Sequence, residues 1–519
     1  MGISLLMAEE FEINAKTLID FDNGFIGGLI TVLLVGALIL IANVLRRKVR
    51  FLRRSFIPSA VIAGLLGLVI RELVLLAGFD LFSSLTLSWL VYLSLPIAFI
   101  ALCLREKDDY VYEFDKDKQK IRRVDASKSG SLIISTYLLQ GLIGIGVTVF
   151  LCYTFMSDLN PASGIMLALG FGQGPQQAQA TGLIWDSGGY FAAWGSGGAV
   201  QFGLAIAAFG FLWASIPGII LVNRVAKRKG IKLKRDEFEK SGDVKSTSIE
   251  GPDEIPLSES VDKFTIQVCM VLGVFLLTVG IIIGLDLLLN ATGIKFLMDL
   301  VPTIWGFAFM IAALIALVVK AILRRLVKTG VMHRKYPNSY MMNRISGVAF
   351  DISITAALVL ISIEALGMLW IPVIILSSLG GIGTMIFMWF MCRRIYKDYK
   401  DEAFLAMYGM LTGTIANGMI LLREIDKDFK TPAGNDLVAG SSAAIGLGIP
   451  LLLLISQAPA DGNLWWITAV IAGYFAVLMT YLLGGFNKIF RVFKRKKTTA
   501  ADGSVTETAA KKENDTKKH

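Results

Sequence analysis

The sequence predicts an all-α polytopic membrane protein. Its plan is two inverted-topology repeats of five transmembrane helices, each with a re-entrant Gly-rich hairpin, plus one extra C-terminal helix. Three observations predict this. Apolar residues gather in runs of about twenty, enough to cross a hydrocarbon core of roughly 30 Å, as at Gly24 to Leu45 and Phe264 to Leu285. Lysine and arginine concentrate in alternate loops. The two halves carry matching Gly and Pro landmarks in the same order.

The 519 residues are 55% hydrophobic and 18% charged, against about 25% charge in a typical soluble chain. With no water to satisfy the backbone inside a bilayer, apolar runs of this length must be helical. The spans fall at 24–45, 56–78, 86–104, 130–153, 196–223, 264–285, 302–322, 346–366, 369–391, 437–457 and 464–486.

Residues 1–23 precede the first span. They contain Glu9, Glu10 and Glu12, with no basic region before a short apolar core, so they are not a secretory signal. Arg46, Arg47, Lys48, Arg50, Arg53 and Arg54 follow the first span. The loop after the third span runs from Arg105 to Lys128 and is equally basic. So are the stretches after Lys320, after Arg393 and from Arg423 to Lys430. The intervening loops hold few basic residues, Lys16 and Lys295 being the clear cases. The positive-inside rule then places the N-terminus outside a cytoplasmic membrane and the C-terminus within the cytoplasm. The formal charge of +10 is thereby a matter of topology, and no nucleic-acid partner is expected. Eleven crossings satisfy this orientation if the segments at about 161–184 and 403–422 enter and leave on one side.

The first repeat covers 24–226 and the second 264–457. Between them the polar stretch 227–263 reads as a disordered cytoplasmic linker, and 487–519 as a disordered basic tail. The helix 464–486 has no counterpart. Ile57-Pro58-Ser59 matches Val301-Pro302-Thr303, and Gly144-Ile145-Gly146-Val147 matches Gly381-Ile382-Gly383-Thr384. Met166 to Asp186 aligns with Phe404 to Glu424, placing Gly170 on Gly409 and Gly174 on Gly413. Five crossings are an odd number, so the second repeat starts on the opposite side of the membrane, as in many secondary transporters.

The two same-side segments carry the chemistry. Gly170-Phe171-Gly172-Gln173-Gly174-Pro175 cannot continue as a regular helix, because glycine is a poor helix former and Pro175 lacks an amide hydrogen. Backbone groups freed at membrane depth must line a cavity or meet a ligand. Helix N-termini suit a carboxylate, and unwound carbonyls with Thr, Asn or Gln oxygens suit Na⁺. The candidate substrate-binding residues are Gly172, Gln173, Gly174, Gln176, Gln177, Thr412, Gly413, Thr414 and Asn417. Gln173, Thr412 and Asn417 are the candidate cation ligands, with Na⁺ as coupling ion and no other metal or cofactor.

Other residues read as structural. Cys103, Cys152, Cys269 and Cys392 show neither metal-ligand spacing nor a disulfide framework. His333 and His519 lie outside the spans. Ser196 in the Gly195 to Gly198 stretch has no membrane histidine to act as base, and Gly-Phe-Gly ends in Gln173 and not an aspartate, so neither protease reading holds. No enzyme is expected. Of the intramembrane charges, Arg71 and Glu72 sit toward the outer end of the second span, with Arg71 able to snorkel. Asp351 and Glu364 lie near the inner and outer ends of the eighth. Arg423 reads as a cytoplasmic loop charge.

At these residues the chain resembles the bacterial glutamate:sodium symporter family. The likeness spans most of 24–457. It includes Ile57-Pro58 with Val61-Ile62-Ala63-Gly64, the Gly-rich first hairpin and Thr414-Ile415-Ala416-Asn417. The resemblance implies Na⁺-coupled uptake of glutamate or a related amino acid or dicarboxylate, a homodimer, and an elevator-like movement of the hairpin-bearing part against a scaffold. A passive channel and a membrane-embedded ligand sensor are the competing classes.

Overall fold

The computed structural model describes residues 24–49, 51–52, 57–105, 124–195, 197–231, 257–298, 301–332, 337–364, 366–367, 369–426, 431–460 and 462–484. The expectations for residues 1–23, the basic loop 106–123, most of the linker, Ser196, His333 and the tail fall outside these. The described residues are helical, and no strand occurs among them.

The main helices are α1 (Phe25–Lys48), α2 (Ser59–Leu76), α3 (Ser84–Leu104), α4 (Ala126–Thr154), α5 (Pro175–Ser187), α6 (Gly198–Lys229) and α7 (Leu257–Ala291). They continue as α8 (Ala308–Lys328), α9 (Ser339–Val359), α10 (Trp370–Ile395), α11 (Lys400–Thr412), α12 (Ile415–Ile425), α13 (Ala433–Ile455) and α14 (Asn463–Leu482). A 3-10 turn, Pro161–Ile165, and a π turn, Ala168–Gln173, precede α5. Several starts are capped as their sequence dictates. The Ser83 side chain accepts from the Thr86 amide, and that of Asn338 from the Met341 amide.

Among the described residues nine helices are long and apolar enough to cross a membrane, or ten when α13, bent by 42°, is taken as one span. Pro450 in α13 cannot supply the amide that the Gly446 carbonyl would otherwise receive, which suits a bend there. Eleven crossings were expected, and the shortfall lies at 302–322. There the chain forms a short helix, Val301–Gly306, and then α8, whose second half is crowded by Lys320, Arg324, Arg325 and Lys328. Other boundaries also move. α6 continues to Lys229, so the start of the expected linker is helical, and Gly230 ends it at φ +66°. α9 stops at Val359, short of the expected 366.

The helices pack as two bodies. In one, α1, α2, α3 and α9 enclose Val35, Leu38, Val61, Leu87 and Leu358, while α3, α7 and α8 enclose Ile100, Leu104, Val271 and Ala312. The other contains α4, the 161–187 segment, α6 and α10 to α13, around Leu138, Leu167, Phe171, Leu376 and Leu411. α6 faces both, sending Leu204 and Phe211 into the first and Phe202 and Ile206 into the second. α14 packs mainly along α4. The contacts come in matched pairs: α2 on α9 with α8 on α3, α1 on α2 with α7 on α8, and α1 on α9 with α7 on α3. α1 and α7 leave Leu33, Leu40, Leu276 and Leu287 on the outer surface, as helices bordered by lipid must.

Candidate functional site

Each half contributes one helical hairpin with a break at its tip. The first is the 3-10 and π turns followed by α5, broken at Gly174. The second is α11 and α12, broken at Gly413 and Thr414. Gly174 has φ +96° and ψ 175° and caps α5, with Pro175 in the first turn. That backbone region is open essentially only to glycine. Pro175 loses nothing there, because first-turn amides have no helical partner.

The two tips meet around α4, α10 and α6. Gln140 of α4 is fully buried. Its Nε2 donates to Thr384 Oγ1 of α10 at 2.9 Å and to the Leu411 carbonyl in the second hairpin at 2.8 Å. Its Oε1 has no partner and lies 2.9 Å from where a Cβ on Gly172 would stand. One amide thus touches both hairpin tips. On the other side a Cβ on Gly210 of α6 would lie 2.7 Å from the Thr412 carbonyl and 3.0 Å from the Phe171 ring. Only glycine there lets α6 approach both tips. The Tyr408 hydroxyl donates to the Trp213 carbonyl at 2.8 Å, tying α11 to α6.

The structure brings most of the expected residues to this region. Gly172 packs against the Tyr137 ring. Gln173 is half-buried at the end of the π turn. Thr412 is fully buried, with its hydroxyl on the Tyr408 carbonyl at 2.8 Å. Gly413 lies against Asn417 and Ala214. Thr414 Oγ1 donates to Asn417 Oδ1 at 2.8 Å, so these two oxygens answer each other within the break.

Gln176 and Gln177 are buried, but α5 turns Gln176 away from the second hairpin. Ala178 and Gly182 press against Gly203 and Val200 of α6, which fixes the rotation of α5. Gln176 and Gln179 then face α3 and α8, beside Tyr92, Leu95, Pro96, Gly306 and Phe309. Gln176 Nε2, Gln177 Oε1, Gln179 Oε1 and Thr181 Oγ1 are buried without partners. Most buried polar atoms are hydrogen-bonded, and these four on α5 are not.

The intramembrane charges resolve differently. Arg71 does not snorkel. It is buried, pairs with Asp80 at 3.1 Å, and donates to Ser84 Oγ at 2.7 Å and the Val359 carbonyl at 3.1 Å. Glu72 accepts from the Ile363 amide at 3.1 Å. Glu364 is exposed and Asp351 half-buried. At the base of the second hairpin, buried Asp401 and Glu402 pair with Arg228 and Lys229 at the end of α6. Sequence reasoning missed Gln140, Thr384, Tyr137 and Gly210. Gln140 had a signal: it is a lone amide in an apolar span, four residues before Gly144.

No protein-family model matches the chain, and no curated protein or solved structure similar to it is found. Among the described residues no cluster of His, Cys, Asp and Glu is placed to hold a metal ion. A groove of about 880 Å³ between α4 and α10 is lined by apolar residues such as Leu142, Val147, Phe150, Ile371 and Leu379, and is distinct from the polar tips.

Proposed function

We propose that this chain is a Na⁺-coupled secondary transporter of the glutamate:sodium symporter type, taking up a small anionic or zwitterionic amino acid-like solute by alternating access. The observation that carries the proposal is the junction at Gln140, where broken hairpins from the two halves of the chain meet on one buried amide. Unwound backbone deep in a bundle is what secondary transporters use to hold substrate and ion. The matched helix contacts support two inverted repeats, and the broken segments support re-entrant hairpins. The division into α1–α3 with α7–α9 and α4–α6 with α10–α13 supports a hairpin-bearing body moving against a scaffold. A homodimer is part of the same proposal.

The decisive measurement is solute uptake by the purified protein in proteoliposomes, with and without an inward Na⁺ gradient, against a panel of amino acids and dicarboxylates. Accumulation above the external concentration that needs the gradient is the expected result. Flux that only equilibrates solute would make it a passive pore, and binding without accumulation would make it a sensor.

A further inference from the structure

The seam between α5 and the scaffold holds a small cavity, mostly apolar, into which two glutamines are set. It measures about 10 Å³ and is lined by Tyr92, Leu95 and Pro96 of α3, Gln176, Gln179, Ala180 and Leu183 of α5, and Gly306 and Phe309. That is room for about one water molecule. Gln176 is 3% exposed and Gln179 is 2% exposed. Gln179 Nε2 donates to the Ser88 carbonyl at 3.3 Å, which leaves its Oε1 as the unanswered atom. Gln176 Oε1 lies toward Gly174, 3.0 Å from where its Cβ would stand, and its Nε2 is the unanswered atom. The wall therefore offers one unpaired acceptor and one unpaired donor.

We propose that this seam is the side-chain specificity pocket of the transport site, and that it selects a zwitterion whose side chain ends in a carboxamide over one ending in a carboxylate. The proposal rests on the transporter reading above. A carboxamide answers both glutamines: its oxygen accepts from Gln176 Nε2, and its NH₂ donates to Gln179 Oε1. A carboxylate is an acceptor only. It would answer Gln176 and set its second oxygen against Gln179 Oε1. No basic side chain lines the cavity, and none occurs anywhere from 129 to 223. An unpaired charge in such a place is strongly disfavoured. A site that hydrogen-bonds a substrate group rejects an analogue lacking it far better than an apolar pocket does. The cavity is smaller than a carboxamide, so the seam must part to admit one, as a contact between a moving hairpin and a fixed scaffold would.

The test compares uptake of radiolabelled L-glutamine and L-glutamate by the full-length protein in proteoliposomes under one Na⁺ gradient. At least a tenfold higher kcat/KM for glutamine is expected. Gln179→Leu and Gln176→Leu should each bring the ratio toward one, with folded yield measured in parallel. Equal or preferential uptake of glutamate by the unmodified protein overturns the pocket while leaving the transporter reading intact. A glutamine preference that survives both substitutions also overturns it and leaves the glutamines to bind structural water. Gradient-independent equilibration, or no uptake of either solute or of the wider panel, overturns both readings together.

Discussion

Arg71 and Lys320 perform the same task in opposite halves of the fold. Arg71 on α2 donates to the carbonyl of Val359, the last residue of α9, at 3.1 Å. Lys320 on α8 donates to the carbonyl of Cys103, one residue from the end of α3, at 3.0 Å. In each case a basic residue from the second helix of one half closes the carbonyl end of the third helix of the other. The last carbonyls of a helix lack partners and carry partial negative charge, so a cation there satisfies both needs.

The first prediction follows from that pairing. Arg71→Met leaves Asp80 without its buried cation and should lower stability by about 3 kcal/mol. Thermal unfolding in detergent measures it. Uptake per folded molecule should change little, since the contacts of Arg71 with Asp80, Ser84 and the end of α9 involve neither hairpin. Full stability with lost uptake would give Arg71 the functional role that its contacts argue against. Lys320→Met should behave in the same direction.

Gln140 and Thr384 are predicted to act as a coupled pair. Gln140→Leu strips the Leu411 carbonyl and Thr384 of a buried donor, a loss on the order of 1–3 kcal/mol. Uptake should fall at least tenfold. Thr384→Val should be milder, and the double variant should cost less than the sum of the two. Strictly additive losses in uptake and stability would mean that the two residues act separately.

Gly174→Val should abolish uptake while the protein still inserts and folds. The backbone at φ +96° and ψ 175° accepts a side chain only with strain of about 1–3 kcal/mol. Gly188→Ala is the control. Gly188 has φ −77°, and an added methyl would press only on the Tyr190 ring, which is itself partly exposed. Normal specific activity in Gly174→Val would move the binding site elsewhere.

Cation coupling is tested at Gln173, Thr412 and Asn417. Replacing each by an apolar residue of similar size should raise the Na⁺ concentration for half-maximal uptake by roughly tenfold, the worth of one or two polar contacts. The Asn417 substitution also frees Thr414 Oγ1 from its partner. It should therefore affect substrate affinity as well. Unchanged Na⁺ dependence in all three variants would remove these residues from the cation site.

Orientation is tested by single cysteines in a background lacking the four native ones, of which Cys269 is exposed. Cysteines at Asp80 and Gly462 should react with an impermeant reagent from outside, and those at Asp117 and Gly251 only after permeabilisation. Labelling of position 251 in intact cells would end the inverted-repeat reading.

The sequence by itself determined the helical membrane class, because a hydrocarbon core allows a long apolar run no other open structure. It also marked the break before α5. Glycine and proline act on their own backbone, so Gly174 with Pro175 was legible without a partner in view, whereas the break at Gly413 and Thr414 is located by the structure. Tertiary structure alone decided which polar atoms meet. Gln140 and Leu411 are 271 residues apart, and Arg71 and Val359 are 288 apart. Nothing local in either pair names the other. The glutamines of α5 show the limit most clearly: their type and place at a helix start could be read, but their burial and the face they occupy could not. That face is set by Ala178 and Gly182 against α6. A helix's rotation is fixed by the small residues that let it approach its neighbour, and only the packed neighbour shows which of them do so.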